Sequence, residues 1–337
     1  MTDASDPKNQ IFDPDQPVLI IAEAGSNHNC SLDQAKEMID AAAAAGCDMV
    51  KFQLFEADKL VPLGSYAHSV LNPLEFPRQW LPELVAHCAS AGVPFCASPF
   101  DLDAVDQLAE HGGAPLLKIA SPEIHDMPLI EKCAGVGCPL IISTGMATLD
   151  DIRIALETVR NNGNSPVVVL HCVSLYPAGP EHMNLRMMTD IAETFDVAVG
   201  LSDHSESATL PAVAVALGAR VIEKHYTLDH NLTGPDHAFA MEPNQLTEMV
   251  KNIREAELSL GARKKEPIYG AEEIPNNNKA MLSRASIAAN STITEDLLCV
   301  KRAKGGIRPI VMDRIIGRTA AAEIAADTVI TEDMLGD

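Results

Sequence analysis

Eight short apolar runs, each followed by a helix-like segment, follow one another along most of the chain, and this alternation limits the fold more than any other feature. The runs begin at Val18, Met49, Pro94, Leu116, Pro139, Val167, Val197 and Val221. They are largely apolar, as expected of strands buried on both faces of a parallel sheet. Capping signals separate the units. Ser31 with Gln34 resembles a capping box and Gly46 a helix stop, while Thr148 opens the helix after the fifth run. The spacing predicts a closed parallel (β/α)8 barrel, the TIM-barrel architecture, with a final amphipathic helix from about Glu242 to Leu260.

Polar residues fall at one end of these runs. Glu23, Lys51, Gln53, Ser98, Lys118, Ser121, Ser143, His171, Ser202, His204 and His225 all stand toward C-terminal strand ends, the face on which barrel enzymes build active sites. A single strand-end serine is ordinarily a cap, and a single histidine a hydrogen-bonded structural group; eleven such residues on one rim are not explained that way. Lys51 and Gln53 share strand parity, so both should point into the barrel while Val50 and Phe52 face the helices. A lysine there requires an anionic partner. His204 and His225 each end an apolar run, with one helix length between them, which suggests a metal and substrate site. Two imidazoles do not make a closed four-ligand zinc site, so substrate and water would complete the sphere.

Composition narrows the partners. A formal charge of -22 over 337 residues argues against nucleic acid or an anionic membrane surface. The N-terminal stretch lacks the regions of a secretory signal and no apolar run reaches membrane length, so a cytoplasmic protein is expected. Eight cysteines lie scattered without a CxxC pair, which fits reduced, buried thiols.

After Gly261 the pattern changes. A polar, proline-broken stretch reads as a linker, and beyond it IAANSTITEDLL from Ile287 reappears as IAADTVITEDML from Ile324. Each copy is a short β-like run, a turn and a helical turn with Thr294 or Thr331 as N-cap, so a small, mostly β domain with internal pseudo-symmetry is expected. The divisions are a tail over 1–16, the barrel over 17–263, a linker over 264–281 and the small domain over 282–337. Between the repeats sits VKRAKGGIRP, a basic loop in an acidic protein.

In order, IIAEAGSNHN, VKFQLFEADKL, LKIASPE, IISTGM, LHCVSLYPAG, GLSDHS, EKHYT and GPDHAFAMEP, followed by the repeat-bearing tail, resemble the sialic acid synthase family, including the related legionaminic and pseudaminic acid synthases, over nearly the whole chain. The resemblance implies a barrel joined to an antifreeze-like (SAF) domain. It implies condensation of phosphoenolpyruvate with an N-acetylated hexose, N-acetylmannosamine first among the candidates, to a nine-carbon 2-keto acid and phosphate. By resemblance, Lys51, Ser98, Lys118, Ser121, Ser143, Ser174 and Ser202 bind phosphoenolpyruvate. Glu23, Gln53, Tyr176, Asp236 and Arg302 hold the sugar, Arg302 reaching from the partner subunit of a domain-swapped homodimer. His204 and His225 hold Mn2+ or Mg2+, and Glu123 is the acid or base serving the water that adds at C2. Lys51, Glu123, His204 and His225 thus form the catalytic set.

Two departures stand out. Cys30 occupies a position where the family usually has Gly, and the loop from Ala57 to Pro77 matches no subtype, which leaves a diacetamido trideoxyhexose open as the acceptor. Three rival readings stay beside this one. A barrel making shorter 3-deoxy keto acids has no reason for the tail, and a metal-dependent hydrolase usually shows HxH on its first strand. A carbohydrate-binding protein with a vestigial barrel has no need of the polar rim.

Overall fold

The computed structural model describes residues 11–13, 15–111, 115–261 and 278–336. The chain divides into two compact units, Met1–Gly261 and Ala262–Asp337. The linker expected over 264–281 lies, up to residue 277, outside the described residues.

In the first unit eight parallel strands close into a barrel in sequence order. They are β1 (Leu19–Gly25), β2 (Met49–Leu54), β3 (Phe95–Pro99), β4 (Leu117–Ile119), β5 (Leu140–Ser143), β6 (Val167–Cys172), β7 (Ala198–Asp203) and β8 (Val221–His225). β8 pairs with β1, which removes every sheet edge. The helix after β1, α1 (Leu32–Ala45), starts and stops where the sequence signals lie. Ser31 accepts from the Gln34 amide, and Gly46 adopts a left-handed conformation that ends the helix. Thr148 and Asp151 form the capping box of the helix Leu149–Asn161. The closing helix Pro243–Leu260 is capped by Glu242.

Strand parity sorts the core into two clusters. Leu19, Ile21, Met49, Cys96, Ile141, Val168, Leu170 and Val221 fill the barrel interior. Ile20, Ala22, Val50, Phe52, Ala97, Ile142, Leu201 and Ile222 pack outward with the helices. The apolar interior layers occupy the lower strands, so later residues of the same parity, Glu23, Lys51 and Gln53, come out on the upper rim. The expected N-terminal tail is not loose in its described part. Ile11 is fully buried beneath the interior cluster, and the Arg220 guanidinium donates to the carbonyls of Ile11, Asp13 and Gln16.

The stretch from Ala57 to Pro77 differs from the plain loop expected. It folds into short helices, Ala57–Leu60 and Tyr66–Leu71, because Ser65 caps the second, Glu75 accepts from the Ala57 amide and His68 pairs with Asp58 at 2.8 Å.

The second unit pairs β9 (Lys279–Ser283) with β10 (Leu298–Arg302) in antiparallel register. Its repeat is structural. Ile287 and Ile324 exchange backbone hydrogen bonds, Ile293 and Ile330 are both fully buried, and Asn290 and Asp327 both take positive φ. Thr294 and Thr331 stand at the N-cap positions of 3-10 turns, but neither hydroxyl makes the capping bond, since each turn is only three residues long.

Where β1 turns into α1, His28 is fully buried against Phe52, Phe76 and Trp80. Its Nδ1 accepts from the Cys30 amide, so the neutral ring carries its proton on Nε2, which has no partner. Cys30 takes φ +55, a conformation that costs a side chain about 1–2 kcal/mol relative to glycine. Burial pushes His28 down from 6.5 to about 4. Between those values the unfolded chain binds the proton and the folded chain does not, so stability falls as pH drops through that window and is fully present above it. Urea titrations at pH of about 7.5 and about 4.5 should show wild type losing roughly 2 kcal/mol more than His28→Gln. Equal losses in the two proteins would remove His28 as the cause.

Candidate active site

The rim side chains converge on a cavity of about 190 Å³ above the interior apolar layers. Register explains the convergence. Glu23 lies beside both Lys51 and His225 across the β1–β2 and β1–β8 pairings, Gln53 lies beside Ser98, and Ser202 lies beside Glu223.

Charge at the cavity floor is organised around Glu223, a residue that the sequence reading did not single out. It is buried, accepts from the Ser202 hydroxyl at 2.9 Å, and faces Lys51 at 3.7 Å and Lys118 at 3.8 Å. Burial disfavours its charge, but Lys118 and Lys51 outweigh that and hold the carboxyl well below its ordinary range. Lys51 also pairs with Glu23 at 2.7 Å and donates to the Ser98 hydroxyl at 3.1 Å. Burial opposes its charge as well; Glu223 and Glu23 outweigh it, and the ammonium stays above its usual value. Lys118 is pushed down by burial and by the neighbouring Lys51, and donates to the Ile119 carbonyl at 2.9 Å. Gln53 completes the group by donating to Glu23 at 2.7 Å. The parity of Glu223 with His225, two residues on in the same strand, was the available signal.

Around the lysines stand hydroxyls with spare capacity. The Ser143 and Ser174 oxygens are buried without a hydrogen-bond partner, and Ser121 accepts from the Met146 amide at 3.0 Å. Gly145 is what lets them close in. A Cβ there would sit 2.5 Å from the Ser174 oxygen, 2.9 Å from the Cys172 sulfur and 3.2 Å from the Ser121 oxygen. Cationic groups flanked by unsatisfied buried hydroxyls suit a small ligand carrying phosphate or carboxylate.

His204 and His225 lie side by side with ring centroids 5.3 Å apart. The His204 Nδ1 is 2.9 Å from the Val173 carbonyl, which can only accept, so Nδ1 carries the proton and Nε2 keeps a free lone pair. Burial, with His225 beside it, pushes His204 down to about 3 and keeps it neutral, the form that ligates metal. The His225 Nδ1 is buried with no partner. Among the described residues no group of three or more His, Cys, Asp or Glu gathers as a metal site. Two imidazoles alone would leave a bound ion with several open coordination positions, unlike a closed structural site.

Tyr176 packs over this pair, its ring 4.2 Å from His204, and Phe239 adjoins both Tyr176 and His225 at 5.3 Å. Asp236 comes close because Gly25 lies beneath it at φ +53. A Cβ at Gly25 would meet the Asp236 carboxylate at 3.0 Å and the His225 ring at 3.4 Å.

His171 and Glu123 hold their side chains off this cavity, and Arg302 lies in the second unit as expected. His171 turns away from the cavity, where its Nε2 donates to the Met183 carbonyl at 2.7 Å, because the interior parity of β6 belongs to Val168, Leu170 and Cys172. Glu123 lies in the turn Pro122–His125, with Ser121 and Pro122 on the cavity lining and its own side chain off it. One of its oxygens is buried without a partner, and burial raises its pKa. Arg302 ends β10 in the second unit, exposed and in register with Lys279.

Fold and site together define a (β/α)8 barrel enzyme whose rim sets a buried lysine–glutamate cluster beside two neighbouring imidazoles. The chain belongs to the NeuB family, whose model matches residues 38–265, and residues 283–336 match the SAF domain. It is 37% identical to an N,N'-diacetyllegionaminic acid synthase of Legionella pneumophila over 333 residues, covering 93% of each chain. It is 33% identical to the N-acetylneuraminate-9-phosphate synthase of Mus musculus over 334 residues, covering 94% of this chain and 92% of the mouse protein. Among solved structures, an N-acetylneuraminic acid synthetase from Leptospira borgpetersenii in complex with citrate superposes with a TM-score of 0.72 at 36% identity, covering 75% of this chain and 88% of that one.

Glu223→Ala leaves two buried ammonium groups short of a counter-charge and should destabilise the barrel by about 3 kcal/mol. Chemical denaturation checks this, and a loss below about 1 kcal/mol would show that Glu23 alone neutralises the floor.

Proposed function

We propose that this chain condenses phosphoenolpyruvate with an N-acetylated hexose, N-acetylmannosamine being the first candidate, to form a nine-carbon 2-keto sugar acid and inorganic phosphate. The observation that carries the proposal is the paired lysines with partner-free serine hydroxyls directly beside the two imidazoles. Phosphoenolpyruvate brings a phosphate and a carboxylate. Lys51 and Lys118 supply charge to it, and Ser98, Ser121, Ser143, Ser174 and Ser202 supply hydrogen bonds.

C3 of phosphoenolpyruvate attacks the aldehyde carbon of the open-chain sugar, and the carbonyl electron pair moves to oxygen. Water adds at C2, and phosphate departs with cleavage of its bond to that carbon. A divalent ion, Mn2+ or Mg2+, held by His204 and His225 would supply polarisation of the aldehyde oxygen. Glu23, Gln53, Tyr176 and Asp236 orient the sugar through its hydroxyls and N-acetyl group. Support for Glu123 as the acid or base for the water is its buried, partner-free oxygen and raised pKa. Arg302 would reach the sugar from the SAF unit of a partner subunit in a homodimer. No helix among the described residues is long and apolar enough to cross a membrane, and a cytoplasmic location is part of the proposal.

Incubated with phosphoenolpyruvate, Mn2+ and N-acetylmannosamine, the protein should release phosphate only when sugar is present. EDTA, His204→Ala or His225→Ala should lower the rate at least 100-fold. Sugar-independent release, or indifference to EDTA, contradicts the mechanism. Arg302→Ala should lower kcat/KM for the sugar at least tenfold without changing thermal stability; unchanged kinetics would remove Arg302 from the site.

A further inference from the structure

Because the phosphate of phosphoenolpyruvate leaves as inorganic phosphate, any phosphate on the product must arrive on the acceptor. The relatives are named for an unphosphorylated and a phosphorylated product, so family membership leaves this open. The structure speaks to it through a second cavity, of about 390 Å³, next to the first. Both cavities are lined by Gln53, Tyr176 and His225. An acceptor whose aldehyde carbon meets C3 of phosphoenolpyruvate at these shared residues would extend into the second cavity.

The rest of its lining is mostly apolar: Phe55, Val70, Leu71, Pro235 and Phe239, with Ser26 and Asp236 as the polar members. Val70 and Leu71 come from the folded excursion between β2 and β3, where the helix Tyr66–Leu71 is fixed by the Ser65 cap and the His68–Asp58 pair. Phe55 is held edge-on by Phe100 at 6.0 Å. Among the described residues no lysine or arginine lines this cavity, whereas the Asp236 carboxylate does. A phosphate dianion placed against Phe55, Val70 and Leu71 would lose water to apolar carbon, with the Asp236 carboxylate in the same cavity and no barrel lysine or arginine to meet it. A methyl group would meet aromatic and aliphatic carbon.

Resting on the proposed condensation, we propose that Phe55, Val70 and Leu71 select an acceptor that carries no phosphate and ends in an apolar substituent, as a 6-deoxy N-acetylated hexose does. The test measures phosphate release with N-acetylmannosamine, its 6-phosphate and 2,4-diacetamido-2,4,6-trideoxymannose, for wild type, Leu71→Arg and Val70→Lys. Circular dichroism confirms that each variant is folded. Wild type should use N-acetylmannosamine at least 100-fold better than its 6-phosphate by kcat/KM, and the trideoxy sugar at least as well as N-acetylmannosamine. A cation at position 71 or 70 should raise kcat/KM for the 6-phosphate at least tenfold. Equal or better use of the 6-phosphate by wild type overturns the inference while leaving the condensation standing. A trideoxy sugar tenfold poorer than N-acetylmannosamine, or a phosphate discrimination that neither folded variant changes, also overturns it. No release with any acceptor overturns the condensation and this inference together.

Discussion

A carboxylate buried between two ammonium groups sets the terms for everything on the barrel rim. Lys51 and Lys118 repel one another and both are out of water; Glu23 pairs with Lys51 at 2.7 Å, and Glu223 faces both lysines. Glu223 in turn remains ionised only because the lysines face it and Ser202 donates to it. Closing strands into a barrel makes such a group possible, since side chains from β2, β4, β7 and β8 meet on one axis. It also holds two buried ammonium groups at the floor of the cavity, where low polarisability strengthens their electrostatics.

Two glycines make the site compact. Gly145 leaves space for the Ser121, Cys172 and Ser174 side chains to converge, and Gly25 lets His225 and Asp236 lie directly over the end of β1. Neither contributes a functional group. Each supports the site by lacking a Cβ, one of them in a backbone conformation that other residues rarely adopt.

Much of this was legible in the residues. The eight apolar runs, the Ser31 and Thr148 caps and the parity of Lys51 with Gln53 led to the barrel and to one rim, because helix and strand periods are local properties of a chain. The 37-residue repeat was legible for the same reason, and Asn290 and Asp327 show it in their matching left-handed turns. The direction in which His171 points is not legible, because VVVLHCV is apolar on both faces and gives no alternation from which to read it. Glu223 was passed over inside VIEKHYT because a lone glutamate in a strand looks ordinary until its neighbours are known. The stretch from Ala57 to Pro77 read as a loop since its helices are too short for periodicity to register; their anchors, Glu75 on Ala57 and Asp58 on His68, are contacts within the folded segment.

The sequence by itself determined which elements form, their order, the family they belong to and the chemical types gathered at the strand ends. Those follow from local pattern and residue chemistry. Tertiary structure decided which charges neutralise which, which serine hydroxyls are left without partners, which histidine nitrogen is free and what lines the outer cavity. Each of these depends on distance between groups far apart in the chain, as between Ser202 and Glu223 or Leu71 and Asp236, and distance is fixed only when the barrel closes.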